Sequence, residues 1–206
     1  MINIEKFARR LIQNGIRIIF ISSNMVFDGS IPYTKVDQRI NPKTQYGMQK
    51  AEAEKKLLAL GENVTIVRFT KVISPEMILF KNWIQSLKKN ILIHPFSDMV
   101  MSPVSVSFAV DLLYRISQAG FTGIFHASGN KDITYEKIGY RIAQQLCVRS
   151  SLVKPIESKK TITEQEEIPL NTTLDTSKIT QELGIKAPDV WLTIDSVAKQ
   201  IIKCMS

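Results

Sequence analysis

Two residues four positions apart have the chemistry for proton transfer. Tyr46 and Lys50 stand at the start of a predicted helix, and this spacing places both side chains on one face, about one turn apart. An ammonium beside a phenol stabilises the phenolate form, so the tyrosine can donate and accept a proton. Because lysine is common, such a pair arises readily by chance, and its interpretation depends on the residues around it.

A pair of serines provides that support. Ser22 and Ser23 follow an apolar run that predicts a buried strand, and they precede the helix that begins with Tyr46. A hydroxyl at the carboxyl end of a strand can meet a tyrosine on the next helix, and both can hydrogen-bond one carbonyl oxygen. A serine, a tyrosine and a lysine in this arrangement are suited to carbonyl reduction. Without the Tyr–Lys pair, the serines would indicate only capping at a strand end.

Helices and buried strands alternate around these residues. Apolar periodicity predicts helices over 4–14, 46–60, 77–89, 105–117, 134–147, 176–184 and 189–203, and buried strands over 16–22, 64–69 and 123–127. This alternation predicts an α/β fold with a parallel sheet. The long loop over 23–44 follows a strand, where such sheets bind ligands.

The composition excludes several classes of protein. The 206 residues have a net charge of +8, but the basic residues are scattered, so we expect no nucleic-acid partner. The apolar runs are too short to span a bilayer and no leader pattern opens the chain, so we expect no membrane partner and a cytoplasmic location. Cys147, Cys204 and only two histidines predict neither a disulfide nor a metal site.

The sequence around the serines and the Tyr–Lys pair resembles a known family. The segments ISSNMVFDG (21–29), PY (32–33) and YGMQKAEAE (46–54), with Asp37 and Pro42, resemble the core signature of the extended short-chain dehydrogenases/reductases. They are most similar to the dTDP-4-dehydrorhamnose reductase branch, whose pattern is STDYVFDG, then PY, then YGxxK followed by Glu. On this resemblance Ser23, Tyr46 and Lys50 fall on the family's catalytic residues.

The resemblance extends over nearly the whole chain. Further similar segments are VRFT (67–70), SDMVMSP (97–103), GIFHASG (123–129), NTTLDTSK (171–178) and LGI (183–185). It implies part of a Rossmann-like α/β domain in 1–74 and 104–127, and a small mixed α/β substrate-binding lobe in 75–103 and 128–206. His126 is then a strand histidine of the core or the site wall.

The resemblance also implies a function. We expect NADPH- or NADH-dependent reduction of a nucleotide-linked 4-keto sugar, with Tyr46 as the acid. The implied cofactor contacts are Tyr46, Lys50 and Ser22, and the implied substrate contacts are Ser23, Asn24, Met25, Arg68 and Lys71. Epimerisation or dehydration of a nucleotide sugar uses the same triad, and a non-catalytic binding or regulatory protein is a third alternative.

The sequence departs from the family pattern on the substrate side and in the cofactor segment. Asn24 and Met25 replace an Asp–Tyr pair, and Lys71 stands near a common Trp, so aromatic stacking on a sugar or base is lost. The family's opening Gly-x-x-Gly-x-x-Gly turn is absent, and with it on the order of 70 residues. We therefore expect an open edge on the strand 16–22, and either a complementing amino-terminal polypeptide, a homodimer, or an inactive chain.

Overall fold

The computed structural model describes residues 4–158 and 168–205. The helices of this part, α1 to α7, are Ile4–Gln13, Gln45–Leu58, Ile78–Lys88, Val106–Ala119, Tyr135–Gln145, Ser177–Leu183 and Val190–Cys204. The strands, β1 to β7, are Ile18–Ser23, Val64–Phe69, Val72–Ile73, Val100–Met101, Val104–Ser105, Gly123–Ala127 and Ile133–Thr134. None of these helices is long and apolar enough to cross a membrane.

A three-stranded parallel sheet forms the centre of the fold, in the order β1-β2-β6. Strand β2 is buried along its whole length, which explains its uninterrupted apolar and β-branched character. Alternate residues of β2 point to opposite faces of the sheet. The α/β prediction with a parallel sheet is confirmed, and the boundaries 64–69 and 123–127 agree with those predicted.

Helices cover both faces of this sheet. One face packs against α1 and α2 through a cluster that contains Ala8, Leu57, Val64 and Ile66. The opposite face packs against α4 and α6 through a second cluster, which includes Val67, Phe69, Leu112, Ile116, Phe125 and Ile179. The apolar periodicity of these helices therefore corresponds to the faces that they bury.

A separate apolar cluster joins α3, α5 and α7. Its members include Phe80, Ile84, Leu87, Ile138, Ile142, Ile194, Val197 and Ile201. Two small pairs of strands, β3 with β5 and β4 with β7, complete the described strands. In chain order β3 precedes α3, β4 and β5 follow α3, and β7 precedes α5. The chain segment 91–101 contains β4 and isolated bridges at Ile93 and Phe96. The proposed domain boundaries stay a prediction.

Strand β1 lies at the edge of the sheet, and no described strand pairs with its outer side. The backbone N–H of Ile18 donates to Asn63 on the β2 side, so the backbone groups of Ile19, Ile21 and Ser23 point outward. The Ile21 side chain is 51% exposed. The open, apolar edge expected from the sequence is therefore present in the described structure.

We predict that this edge promotes self-association. Replacing Ile21 by Lys places a charge on the edge strand, which opposes pairing with another chain, and we expect less oligomer and aggregate in sedimentation velocity across a concentration series. The control is Ile78→Lys on α3, where the native isoleucine is 72% exposed. A parent chain that sediments as a monomer at every concentration would contradict the prediction.

Candidate active site

Ser23 ends β1 and begins the next turn of the chain. Its Oγ accepts a hydrogen bond from the Met25 backbone N–H at 3.2 Å, and so caps the short 3₁₀ helix Asn24–Val26. The same hydroxyl donates to Oδ1 of Asn24 at 3.3 Å. The serine is thus held at the carboxyl end of the strand, where parallel sheets bind ligands.

The first turn of α2 packs directly against this 3₁₀ helix. Thr44 caps α2 by accepting from the Gly47 N–H at 3.0 Å. A Cβ atom at Gly47 would lie 2.1 Å from the Met25 carbonyl oxygen, so a residue without a side chain is required there. This close approach brings the beginning of α2, with Tyr46, next to the turn that follows Ser23.

Lys50 connects Tyr46 to β1. Its Nζ donates to the Ile21 carbonyl oxygen at 2.8 Å and lies 4.8 Å from the centroid of the Phe20 ring. The same Nζ is 5.7 Å from the centroid of the Tyr46 ring, and Tyr46 is 52% exposed. The structure therefore places Tyr46 and Lys50 together at the carboxyl end of β1, with the tyrosine accessible to solvent.

Arg68 lies inside the protein and not on an open surface. Its Nη2 donates to Oε2 of Glu54 at 2.7 Å and its Nε donates to Oε1 at 3.0 Å. Its Nη1 donates to the Val36 carbonyl oxygen at 3.3 Å. The side chain is 1% exposed, and its implied contact with the substrate stays a prediction. Glu54 was not predicted as part of the site, although its spacing from Lys50 puts it on the same helix face.

His126 lies beside Arg68 on the neighbouring strand β6. Its Nε2 accepts a hydrogen bond from Nη1 of Arg68, 3.2 Å away. Its ring packs edge-on against the Phe27 ring, with 5.8 Å between the two ring centroids. Burial, together with the positive charge of Arg68, lowers the pKa of His126 from 6.5 to about 3. His126 is therefore neutral at physiological pH. The expectation that it belongs to the core or the site wall agrees with its burial.

The other implied contact residues are distributed around the carboxyl ends of β1 and β2. Asn24 and Met25 are half-buried in the turn after β1, and Lys71 is exposed just beyond β2. Ser22 is buried, and its Oγ has no hydrogen-bond partner among the described residues. The roles of these four residues in binding stay predictions. Within the described residues, no cluster of His, Cys, Asp and Glu is arranged to hold a metal ion.

The loop after Ser23 folds around a polar cavity of about 340 Å³. Asp28 in its wall accepts from the Ser30 N–H at 2.9 Å, the Ser30 hydroxyl at 2.7 Å and Nδ2 of Asn41 at 2.8 Å. These hydrogen bonds hold the pKa of Asp28 below its usual value. The carboxylate thereby joins the two ends of the loop and gives it a defined shape.

The low pKa of His126 predicts loss of stability in mild acid. The unfolded chain takes up a proton on this residue below about pH 6.5, whereas the folded chain does not do so until about pH 3. The stability that this difference in pKa gives to the folded protein is fully present above about pH 6.5 and decreases as the pH falls towards 3. We expect the free energy of unfolding in urea to fall by on the order of 2 kcal/mol between pH 7 and pH 5.

The variant His126→Gln cannot take up this proton and should lose most of that pH dependence, whereas the exposed His94→Gln should keep it. An equal decrease in the parent and in His126→Gln would contradict a neutral, buried His126.

Known proteins resemble this chain over most of its length. A model of the RmlD substrate binding domain matches residues 2–202. The dTDP-4-dehydrorhamnose reductase of Sinorhizobium fredii is 28% identical over 188 residues, which cover 85% of this chain and 63% of that protein. Methionine adenosyltransferase 2 subunit beta of Xenopus tropicalis is 28% identical over 192 residues, which cover 88% of this chain and 56% of that protein. The chain thus spans about three-fifths of the length of these relatives.

Solved structures share the fold. The dTDP-4-dehydrorhamnose reductase of Clostridium acetobutylicum superimposes with a TM-score of 0.82 at 19% identity, covering 98% of this chain and 71% of that one. The Bacillus anthracis enzyme of the same name, in complex with NADP, also gives 0.82 at 16% identity, covering 97% and 70%. Since the family model matches nearly the whole sequence, the chain belongs to the RmlD substrate-binding domain family.

Proposed function

We propose that this chain provides the catalytic and substrate-binding part of an NAD(P)H-dependent reductase that acts on a nucleotide-linked 4-keto sugar. The observation that carries the proposal is the contact of Lys50 with both Tyr46 and β1, beside Ser23, at the carboxyl end of a parallel sheet. Membership of the family, and its dTDP-4-dehydrorhamnose reductase relatives, support this substrate class.

Each residue of the triad has a distinct task. The Ser23 hydroxyl turns its one proton from Oδ1 of Asn24 to the keto oxygen, and the Tyr46 phenol donates to the same oxygen. Tyr46 then delivers the proton that converts the keto oxygen to a hydroxyl. The ammonium of Lys50 favours the phenolate that Tyr46 becomes. When bound, the nicotinamide supplies the hydride.

The described residues fit only part of such a cofactor. Lys50 uses one N–H donor on Ile21, which leaves donors for ribose hydroxyls. Ser22 is 3% exposed, so its hydroxyl offers the cofactor no accessible surface in this conformation. No glycine-rich pyrophosphate turn occurs in the sequence. The proposal therefore includes a cofactor-binding segment from outside these 206 residues, which also covers the open edge of β1.

Replacing Tyr46 by Phe tests the reaction. The chain is joined to the amino-terminal cofactor segment of a dTDP-4-dehydrorhamnose reductase, and oxidation of NADPH is followed with dTDP-4-dehydrorhamnose. Loss of the phenol removes the proton donor, so we expect kcat to fall by about 100-fold or more. Tyr114→Phe, on the exposed side of α4, is the matched control. Unchanged turnover in Tyr46→Phe would exclude the proposed role. Epimerisation or dehydration would give a product without net consumption of NADPH.

A second candidate function is that of a non-catalytic subunit. Several relatives are methionine adenosyltransferase 2 subunit beta, and the rat protein is 30% identical over 192 residues. In such a role the chain binds a partner protein, and Ser23, Tyr46 and Lys50 catalyse no reaction.

Titration of the isolated chain with NADPH, followed by fluorescence, tests whether cofactor binding requires a segment from outside these residues. Because the pyrophosphate turn is absent, we expect no saturable binding below millimolar NADPH. Micromolar binding would overturn the proposal of an external cofactor segment. Two results together favour the second candidate over the first. The joined protein binds NADPH but reduces no keto sugar, and the chain co-elutes with a methionine adenosyltransferase.

A further inference from the structure

An ion pair inside the protein joins α2 to the central sheet. Glu54 is fully buried on α2, and Arg68 is equally enclosed on β2. Nε and Nη2 of the arginine address both carboxylate oxygens of Glu54, at 3.0, 3.2 and 2.7 Å. Such a two-point contact fixes orientation as well as distance.

Glu54 lies on the same face of α2 as the two functional residues of that helix. It follows Lys50 by four residues and Tyr46 by eight, so the three side chains form one stripe of about two turns. The range Gln45–Leu58 is one continuous α-helix, which fixes the spacing between these three side chains. The position in which Glu54 is held therefore sets where Tyr46 and Lys50 lie above β1.

Arg68 extends the contact to the other elements that surround the site. Its Nη1 donates to the Val36 carbonyl oxygen in the long loop and to Nε2 of His126 on β6. Its guanidinium carbon lies 5.0 Å from the centroid of the Phe27 ring. One side chain thus joins α2, two strands of the sheet and the loop that follows Ser23.

Stability alone does not account for this arrangement. Removing two charges from water costs about as much as their attraction returns, and apolar residues of similar size often stabilise a core equally well. Directional contact is what apolar residues cannot provide. We propose that Glu54 and Arg68 are positioning residues, whose two-point contact sets the placement of Tyr46 and Lys50 relative to Ser23. The catalytic consequence rests on the proposed function, but the placement itself does not.

Three variants separate positioning from stability. Glu54→Met and Arg68→Met each leave one buried charge without its partner, and we expect the melting temperature to fall by about 10 °C. The double variant E54M/R68M removes both charges and should recover most of that loss. If a single variant does not fold, the double variant still carries the test.

Hydrogen exchange measured by mass spectrometry reports the placement of α2 in the chain as it is. In E54M/R68M we expect the amides of α2 from Tyr46 to Glu54 to exchange about tenfold faster than in the parent, while those of α7 are unchanged. The control is E52M/K56M, which removes an exposed ion pair from the same helix, with a parent Nζ–Oε1 distance of 3.1 Å. We expect it to exchange as the parent does.

Turnover adds a second readout in the joined protein. We expect E54M/R68M to lower kcat by about tenfold or more with little change in KM, because misplacement of reacting groups affects the chemical step. A double variant with parent exchange in α2 and parent kcat overturns the proposal, and so does one that fails to regain stability. If the parent itself shows no turnover, the proposed reduction is wrong. Hydrogen exchange in α2 then still tests whether Glu54 and Arg68 position this helix.

Discussion

The packing of α2 on one face of the parallel sheet is the constraint on which the candidate site depends. Three contacts along one helix produce it: Gly47 against the Met25 carbonyl, Lys50 on the Ile21 carbonyl, and Glu54 on Arg68. Each contact requires a different type of residue. The first requires a glycine, the second a long side chain with a positive charge, and the third a buried carboxylate. Together they place Tyr46 over the carboxyl end of β1, where the strand presents Ser23.

The interior beneath this helix changes character along the strands. Near its middle the sheet is apolar, as at Ile66, whereas two positions later a polar row crosses all three strands in register: Ser22, Arg68 and His126. Polar groups in such a position require partners, and Arg68 provides them for Glu54 and for the neutral ring of His126. The same end of the sheet thus combines a buried, hydrogen-bonded polar interior with the exposed side chain of Tyr46.

The sequence predicted the elements well because their signals are local. Apolar runs defined β2 and β6, and glycines and capping residues marked the helix ends. The environment of Arg68 was not predictable in this way, because its partner lies on another element and Glu54 stands in a run of charges that is typical of a solvent-exposed helix. Ser23, Tyr46 and Lys50 were predicted as site residues because their types and spacing suit proton transfer to a carbonyl oxygen, and their catalytic role stays a prediction.

The central claim is that α2 presents Tyr46 and Lys50 to a keto sugar held at the carboxyl end of β1. Isotope transfer tests it most directly. The chain joined to a cofactor segment is incubated with dTDP-4-dehydrorhamnose and NADPH deuterated at C4 of the nicotinamide, and the sugar is analysed by mass spectrometry. The account predicts a reduced sugar that carries one deuterium at the former keto carbon. Recovery of the keto sugar unreduced, or of a product without deuterium, would contradict it.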